Sequence, residues 1–195
     1  MTIDTTDKRC LCLSEMLAGE DLGDDVYITA PAKREQTFDF LGDKVFQIKN
    51  NLLTSEGVLA LLIMNLGISI YEGNFLILGG GSLGTSIGVL FNKLGLKFGI
   101  FNVGEERYYQ AYHLTPNCFS ELPDLGEYDA IINTIPAKIL DTVPKGILLI
   151  EAASVNCIEP SDEFRHLPAP ALPGKYMPKS AAKLMYEVIQ RRKKK

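Results

Sequence analysis

The fold of this chain is decided by residues 74–84, whose sequence is Asn74-Phe75-Leu76-Ile77-Leu78-Gly79-Gly80-Gly81-Ser82-Leu83-Gly84. A short apolar run predicts a buried strand, and the motif Gly-x-Gly-x-x-Gly follows it directly. An amphipathic segment then predicts a helix that ends at Gly95. In this order the first glycine permits a sharp turn, the second lets a pyrophosphate approach the backbone, and the third lets the helix pack closely on the sheet. The stretch therefore predicts a dinucleotide site formed by Gly79, Gly80, Gly81, Ser82, Leu83 and Gly84.

Length and charge restrict what the chain can be. Its 195 residues suit one domain with a small appendage, and 46% hydrophobic residues are enough for an ordinary core. The net charge of −4 argues against nucleic-acid binding, which needs a basic surface. No apolar run is long enough to span a bilayer, and the polar residues 1–7 lack the apolar region of a signal peptide. We therefore expect a cytoplasmic protein that binds neither nucleic acid nor membrane.

The four cysteines and two histidines do not form a metal-binding pattern. Cys10 and Cys12 are separated by one residue, and no cysteine forms a C-x-x-C pair or a zinc spacing with a histidine. We therefore expect reduced thiols, which suit a reducing compartment, and no metal site.

The first fifty residues are too few for an independent core, so we expect an appendage that is a cap on the sheet or a reduced substrate domain. We predict a short helix at residues 11–16 and strands at residues 26–29 and 45–48. Thr54 and Ser55 are typical N-cap residues, which predicts a helix that starts there and continues to Ile70. The predicted division is 1–50 for the appendage and 51–195 for the nucleotide-binding domain.

The residue after the second strand of the nucleotide unit bears on the choice of cofactor. We predict that strand at residues 96–101, so Asn102 occupies the position where many NAD-binding proteins carry an acidic residue that binds the adenosine ribose. A neutral side chain does not repel a 2′-phosphate, and Arg107 is close enough in sequence to pair with one. Both features favour NADP over NAD, whereas Glu105 and Glu106 favour NAD.

Two further buried strands, predicted at residues 129–133 and 146–150, end in small or polar residues. Open α/β sheets bind ligands at the carboxyl ends of their strands. We therefore expect Asn133-Thr134-Ile135-Pro136 on the nicotinamide side of the cofactor, with Ser154 able to orient the substrate or the nicotinamide. Ordinary turn formation is the alternative explanation for both segments.

Five prolines from Cys157 to Pro178 predict a segment without a helix, with a last edge strand at residues 164–167 and an extended loop at residues 168–178. Pro178 suits the first turn of a final helix, whose basic end we expect to be solvated and frayed. Strands and helices thus alternate along the chain. This order predicts an α/β fold, a Rossmann-like, doubly wound and mostly parallel sheet with a small N-terminal appendage.

Three separated motifs resemble those of the A subunits of bacterial dipicolinate synthases. They are Asn50-Asn51-Leu52-Leu53-Thr54-Ser55-Glu56-Gly57, Asn133-Thr134-Ile135-Pro136-Ala137, and Leu172-Pro173-Gly174-Lys175-Tyr176-Met177-Pro178-Lys179-Ser180-Ala181-Ala182. The third is the most specific, because proline, glycine and lysine recur in it at fixed offsets. The resemblance covers residues 50–190. It departs from the family at residues 155–158, Val-Asn-Cys-Ile, where Lys-Pro-Gly-Gly is expected, and in the N-terminal domain, which is longer in the family.

The resemblance implies an NADP-linked oxidoreductase that aromatises dihydrodipicolinate to dipicolinate during spore formation. It implies a small dicarboxylate substrate and a flavoprotein-like B subunit with which the chain works, and NAD stays open as the cofactor. A second copy of the chain is a further expected partner. A non-catalytic relative that binds a dinucleotide, as a sensor or as one component of a complex, is the second hypothesis, and a Rossmann-like protein with an empty site is the third.

Cations and helix N-termini bind carboxylates, which suggests residues for the chemistry. Lys175 and Lys179 are the candidates for catalysis together with Ser154, and Thr54 and Ser55 are the candidates for substrate binding. For each lysine, an ordinary solvated surface position is the alternative. No general base is evident, because His113 and His166 lie in no recognisable motif.

Overall fold

The computed structural model describes residues 1–31, 33, 37–102, 113–115 and 117–193. Within these residues the helices are α1 (Lys8–Met16), α2 (Lys44–Asn65), α3 (Ser82–Leu94), α4 (Leu172–Tyr176) and α5 (Pro178–Lys193). The strands are β1 (Thr2–Ile3), β2 (Tyr27–Ile28), β3 (Asn74–Leu78), β4 (Lys97–Phe101), β5 (Cys118–Phe119), β6 (Ala130–Asn133), β7 (Leu148–Glu151) and β8 (Arg165–Pro168). None of the described helices is long and apolar enough to cross a lipid bilayer.

Contacts divide the chain into two units. The terminal unit combines Met1–Thr54 with Ala171–Lys195, and the sheet unit is Ser55–Pro170. The division predicted from the sequence placed residues 171–195 with the nucleotide-binding domain, whereas their contacts place them with the N-terminal residues. Periodicity in a sequence identifies a helix but not the unit that its apolar face packs against, which is why this difference could not be foreseen.

The sheet unit contains a six-stranded sheet in the order β5-β4-β3-β6-β7-β8, with every described pair parallel. The chain starts in the middle of the sheet at β3, adds β4 and β5 on one side, and then crosses to β6 on the other side. The strand order therefore reverses between β3 and β6, which creates a crevice at their carboxyl ends. The predicted α/β, Rossmann-like fold is confirmed.

Both faces of this sheet are covered, as its uninterrupted apolar strands require. On one face α3 packs Phe91 between Phe75 and Phe98, with ring centroids 5.5 and 5.7 Å apart. On the other face Leu76 and Leu78 belong to an apolar cluster whose other buried members are Phe101, Leu125, Tyr128, Ile131, Leu140, Val143, Ile147, Leu149, Cys157 and Phe164. Alternate residues of β3 thus serve opposite faces, because successive side chains of a strand point in opposite directions. Helix α3 ends at Gly95, as predicted, with the glycine in the left-handed conformation at φ 69°.

The terminal unit has its own apolar core, formed mainly by α1 and α5. Its buried residues are Cys10, Leu13, Leu17, Ile28, Phe40, Phe46, Ala182, Met185, Val188 and Ile189. Beside this core β1 and β2 form a two-stranded parallel sheet. Cys10 and Cys12 of this unit, like Cys118 and Cys157 of the sheet unit, are free thiols.

The basic end of α5 is bound to the terminal unit. Arg191 donates to both carboxylate oxygens of Asp43 at 3.0 Å, and the Lys193 ammonium donates to Glu20 at 2.8 Å. The prediction of a frayed end was wrong for residues 191–193, which are helical. These ion pairs join residues that are distant in sequence, so a local sequence pattern could not predict them.

Helix α2 corrects two predictions from the sequence. It begins at Lys44, so residues 45–48 are helical and not a strand. Asp43 caps the helix, since its carboxylate accepts a hydrogen bond from the Phe46 N–H at 2.8 Å. Thr54 therefore lies inside the helix, where its hydroxyl donates to the Asn50 carbonyl at 2.8 Å, and Ser55 is buried. Neither residue is an N-cap, and the substrate-binding role predicted on that basis loses its physical reason.

The proline-rich segment also contains a helix that the sequence did not predict. Helix α4 spans Leu172–Tyr176, with Pro173 in its first turn. Proline is compatible with that position because the first N–H groups of a helix have no intrahelical partner. The number of prolines in the segment was therefore the wrong criterion, because the position of each proline decides whether a helix can form there.

Candidate functional site

The turn after β3 is built from glycines that have no room for a side chain. Gly79 adopts φ 102°, in the left-handed region, and a Cβ on it would lie 2.6 Å from the Thr134 hydroxyl oxygen. Its N–H donates to the Phe101 carbonyl at 2.8 Å, which fixes the turn to β4. A Cβ on Gly84 would overlap the carbonyl of Gly79, so the first turn of α3 packs directly on the glycine turn. These are the roles predicted for the first and third glycines of the motif.

Gly81 differs from its neighbours, because a Cβ on it would meet nothing within 4 Å. It is the N-cap of α3, with φ −70°, and it provides no side-chain cap hydrogen bond. Ser82 is exposed, and Leu83 is half-buried. Backbone N–H groups at the start of a helix, with open space beside them, suit an anionic group such as a pyrophosphate. The residues present thus fit the group that the motif predicts.

Asn102 closes the turn on the side of β4. It is fully buried, and its side chain lies against Gly80, where a Cβ would overlap its Oδ1 and lie 2.8 Å from its Nδ2. Its N–H donates to the Phe119 carbonyl at 2.9 Å. The prediction that Asn102 faces the adenosine ribose stays a prediction, and Arg107 lies outside the described residues.

The loop after β6 borders the glycine turn across the crevice. The Thr134 hydroxyl donates to the Leu78 carbonyl at 2.8 Å, and its N–H donates to the same carbonyl at 2.9 Å. A Cβ on Gly79 would come within 2.8 Å of Ile135 Cγ1. Thr134 and Ile135 are half-buried and Pro136 is exposed. The structure therefore brings together two of the segments that the sequence singled out separately.

Asn133 points its amide into the protein, where it is fully buried. Its Nδ2 donates to Glu151 Oε2 at 2.7 Å and to the Ile135 carbonyl at 3.1 Å, and its Oδ1 accepts from the Ile135 N–H at 2.9 Å. The side chain thus organises the loop that follows it.

Glu151 was not singled out as a site residue from the sequence. It ends β7, is 2% exposed, and also accepts from the Cys157 N–H at 2.9 Å. Burial, and then the neighbouring Glu151 carboxylate, raise the pKa of the Cys157 thiol well above its usual range. A carboxylate directly after an apolar strand was the available signal, since a charged group is rarely buried without partners.

The remaining predicted residues are placed as follows. Ser154 is exposed in the bend that follows β7, in the sheet unit. Lys175 and Lys179 are exposed in the terminal unit, and the Lys175 ammonium lies 5.3 Å from the centre of the Tyr176 ring. The glycine of their motif, Gly174, is buried against Arg9, and a Cβ there would lie 2.6 Å from Arg9 Nε. Across the described residues, no group of three or more His, Cys, Asp or Glu side chains could hold a metal ion.

Comparison with known proteins identifies relatives of this chain. No family model matches the chain. Over 177 residues the chain is 29% identical to the A subunit of dipicolinate synthase from Bacillus subtilis (strain 168), a match that covers 84% of this chain. The chain spans about three fifths, 59%, of the length of that curated relative.

Two solved structures have similar folds. The dipicolinate synthase structure from Bacillus subtilis superposes with a TM-score of 0.67 and 26% identity, and the match covers 75% of this chain and 53% of the other. The corresponding dipicolinate synthase structure from Bacillus halodurans gives a TM-score of 0.67 and 23% identity, over 79% of this chain and 57% of the other.

Proposed function

We propose that this chain, which belongs to the family of dipicolinate synthase A subunits, binds a nicotinamide dinucleotide at the turn formed by residues 79–84. The observation that carries the proposal is the contrast within this turn. Gly79 and Gly84 are closed by neighbouring backbone and side chains, whereas the space beside Gly81 at the start of α3 is open. This is the combination of tight packing and an accessible backbone that a pyrophosphate needs.

The dinucleotide, when bound, would supply the hydride acceptor or donor of an oxidoreductase reaction. The chain's own residues would hold it. The N–H groups at the start of α3 would bind the pyrophosphate, and the loop of Thr134, Ile135 and Pro136 would border the nicotinamide half. We further propose NADP rather than NAD, because Asn102 carries no charge that would repel a 2′-phosphate. Arg107 is the proposed partner of that phosphate.

For the reaction we propose oxidation of dihydrodipicolinate to dipicolinate, in cooperation with a flavoprotein-like second subunit. Support comes from the similarity to dipicolinate synthase A subunits and from the resemblance of residues 172–182 to a motif of that family. Lys175 and Lys179 are exposed cations, as carboxylate ligands must be, and Ser154 is exposed at the carboxyl end of β7. We propose the two lysines for the carboxylates of the substrate and Ser154 for its orientation.

A second candidate function is dinucleotide binding without catalysis by this chain, as a sensor or as one component of a complex. One observation favours it. The segments 79–84, 134–137 and 152–156 follow three of the strands of the sheet, and none of them contains a titratable side chain. Oxidation of a dihydropyridine removes a proton as well as a hydride, so a base would have to come from another part of the chain or from a partner.

A thermal-shift titration with NADPH, NADP, NADH and NAD tests the proposal. A ligand that binds only the folded state stabilises it by about 2.7 kcal/mol at a concentration of 100 times its Kd, so the melting temperature must rise with ligand concentration. We expect the largest rise with NADPH or NADP. Negligible shifts with all four dinucleotides at millimolar concentration would refute dinucleotide binding, and larger shifts with NADH and NAD would refute the preference for NADP.

Turnover separates the two candidate functions once binding is established. Freshly formed dihydrodipicolinate is mixed with the chain and NADP, and NADPH formation is followed by its absorbance, with and without a flavoprotein-like B subunit. Formation of NADPH that requires this chain supports the oxidoreductase. Binding of the dinucleotide without NADPH formation in either mixture supports the non-catalytic role.

A further inference from the structure

Glu151 carries a buried carboxylate, one oxygen of which is bound by the last residue of β6 and the other by the segment after β7. Its Oε2 accepts from Asn133 Nδ2 at 2.7 Å, and its Oε1 accepts from the Cys157 N–H at 2.9 Å. Asn133 and Glu151 are paired across β6 and β7, each as the last residue of its strand. The carboxylate thus connects the loop after β6 with the segment after β7.

The connection is directional, because Asn133 uses both ends of its amide. Its Oδ1 accepts from the Ile135 N–H, so its Nδ2 must face Glu151. If the amide turned round, Nδ2 would face the Ile135 N–H and two donors would meet. Nδ2 also donates to the Ile135 carbonyl at 3.1 Å and to the Val155 carbonyl at 3.4 Å, and the bond to Glu151 Oε2, at 2.7 Å, is the shortest of the three. Glu151 is thus the acceptor closest to Nδ2 and contributes to the orientation of Asn133 and of the backbone at Ile135.

The surroundings of Glu151 do not suit it for contact with a ligand. Only 2% of the residue is exposed. His166 Nε2 lies 3.8 Å from Oε1, beyond hydrogen-bond distance, and the Cys157 thiol has a raised pKa, the opposite of an activated nucleophile. A buried carboxylate that receives two hydrogen bonds and cannot reach a ligand acts through the groups that it holds.

We infer that Glu151 is a positioning residue, which sets the loop of Asn133, Thr134 and Ile135 against the glycine turn and thereby sets dinucleotide affinity. The second part of the inference, the effect on dinucleotide affinity, rests on the proposed function. The first part, the positioning of the loop, concerns the chain alone and is tested without a ligand.

The test compares Glu151→Gln with Leu149→Ala. Glutamine has one acceptor and one NH₂ group, so in either orientation the NH₂ group faces a donor, the Asn133 amide or the Cys157 N–H. Leu149 lies on the same strand, two residues earlier, and is buried in the apolar cluster of the sheet. Its truncation lowers stability through a cavity and leaves the polar connection intact, which makes it a matched control.

Hydrogen exchange of the protein without ligand gives the first readout. Because the single oxygen of glutamine can accept from only one of the two donors, we expect Glu151→Gln to speed exchange at the Ile135 amide, the Cys157 amide or both, while exchange in β3 stays slow. Leu149→Ala should speed exchange across the whole sheet instead. Equal acceleration across the sheet in both variants would overturn the positioning role, since Glu151 would then be no more than a part of the core.

Dinucleotide affinity, measured by calorimetric titration with NADPH, gives the second readout. Small displacements of a loop that borders a ligand have large effects, so we expect Glu151→Gln to raise the Kd about tenfold and Leu149→Ala to leave it nearly unchanged. In the double variant with Asn133→Ala, the Kd should be no higher than with Asn133→Ala alone, because Glu151 acts through Asn133. If the two substitutions weakened NADPH binding additively, Glu151 would not act through Asn133. If the unaltered protein binds no dinucleotide, the proposed function fails, and the exchange data alone decide on positioning.

Discussion

Alanine at Gly81 and alanine at Gly84 should have opposite consequences, although only two residues separate the positions. A Cβ on Gly84 would overlap the backbone of Gly79, which cannot rotate away. Helix α3 would have to move off the sheet, and overpacking of this kind typically costs about 1–3 kcal/mol of stability. A Cβ on Gly81 would meet nothing within 4 Å, and φ −70° is accessible to alanine. Its effect on stability should stay within about 0.5 kcal/mol.

Although Gly81→Ala should leave stability nearly unchanged, it should weaken dinucleotide binding. Its added methyl group would occupy the open space where we propose that the pyrophosphate approaches the backbone. A tenfold loss of affinity corresponds to about 1.4 kcal/mol, and we expect at least this loss for Gly81→Ala. The dinucleotide-dependent rise of the melting temperature should therefore largely disappear, in a protein that is otherwise as stable as the original.

The assay is urea unfolding of both variants without ligand, followed by thermal-shift titration with NADPH. Gly84→Ala should lose stability in urea, and Gly81→Ala should not. A Gly81→Ala variant that binds NADPH as well as the unaltered protein would refute the placement of the pyrophosphate. A Gly84→Ala variant of unchanged stability would refute the close packing of α3 on the turn.

Three further predictions concern the fold. Asp43→Ala should lower the free energy of unfolding by about 0.5–2 kcal/mol, as loss of a helix cap does. Thr54→Ala should change it by less than about 0.5 kcal/mol. If urea unfolding showed Thr54→Ala to be the more destabilising of the two, our assignment of Asp43 as the cap would be wrong. Hydrogen bonds from Lys193, then Tyr186 and Gln190, lower the pKa of Glu20 to about 2. Because this pKa is lowered in the folded state, the charged Glu20 stabilises the fold above its unfolded pKa, and this stabilisation is lost as pH falls from about 4.5 towards 2. In Glu20→Gln, the free energy of unfolding should therefore depend less on pH in that window. Phe91→Ala should cost about 3–5 kcal/mol, because it removes a ring packed between two others, and a loss below about 1 kcal/mol in urea would contradict that packing.

Several features of the sheet unit followed from local sequence because local physics controls them. The run Phe75-Leu76-Ile77-Leu78 is apolar at every position, which is typical of a strand buried on both faces. A glycine in the left-handed conformation and a close helix approach leave the same signature wherever they occur, so the turn at Gly79 and Gly84 was recognisable. Gly95 ended α3 for the same conformational reason.

Predictions failed where a local signal had competitors of similar strength. The segment of Val45 and Ile48 has residues that favour strands, yet it is helical, because Asp43 caps a helix and Phe46 packs into the core of the terminal unit. Thr54 and Ser55 had the chemistry of a cap but lie in the middle of a helix that starts earlier. Propensity differences are fractions of a kcal/mol per residue, and burial of one aromatic side chain exceeds them.

The sequence by itself determined the class of fold, the position of the glycine turn and the resemblance to dipicolinate synthase A subunits, because each depends on neighbouring residues or on a short motif. Only the tertiary structure decided that the Asn133 side chain binds the buried Glu151, that the Arg9 side chain packs against Gly174, and that the C-terminal helix packs with the N-terminal residues. These pairs are separated by 18 residues in the first case and by most of the chain in the others. Such contacts form because strands and helices bring distant residues to the same place, and no local pattern in the chain records them.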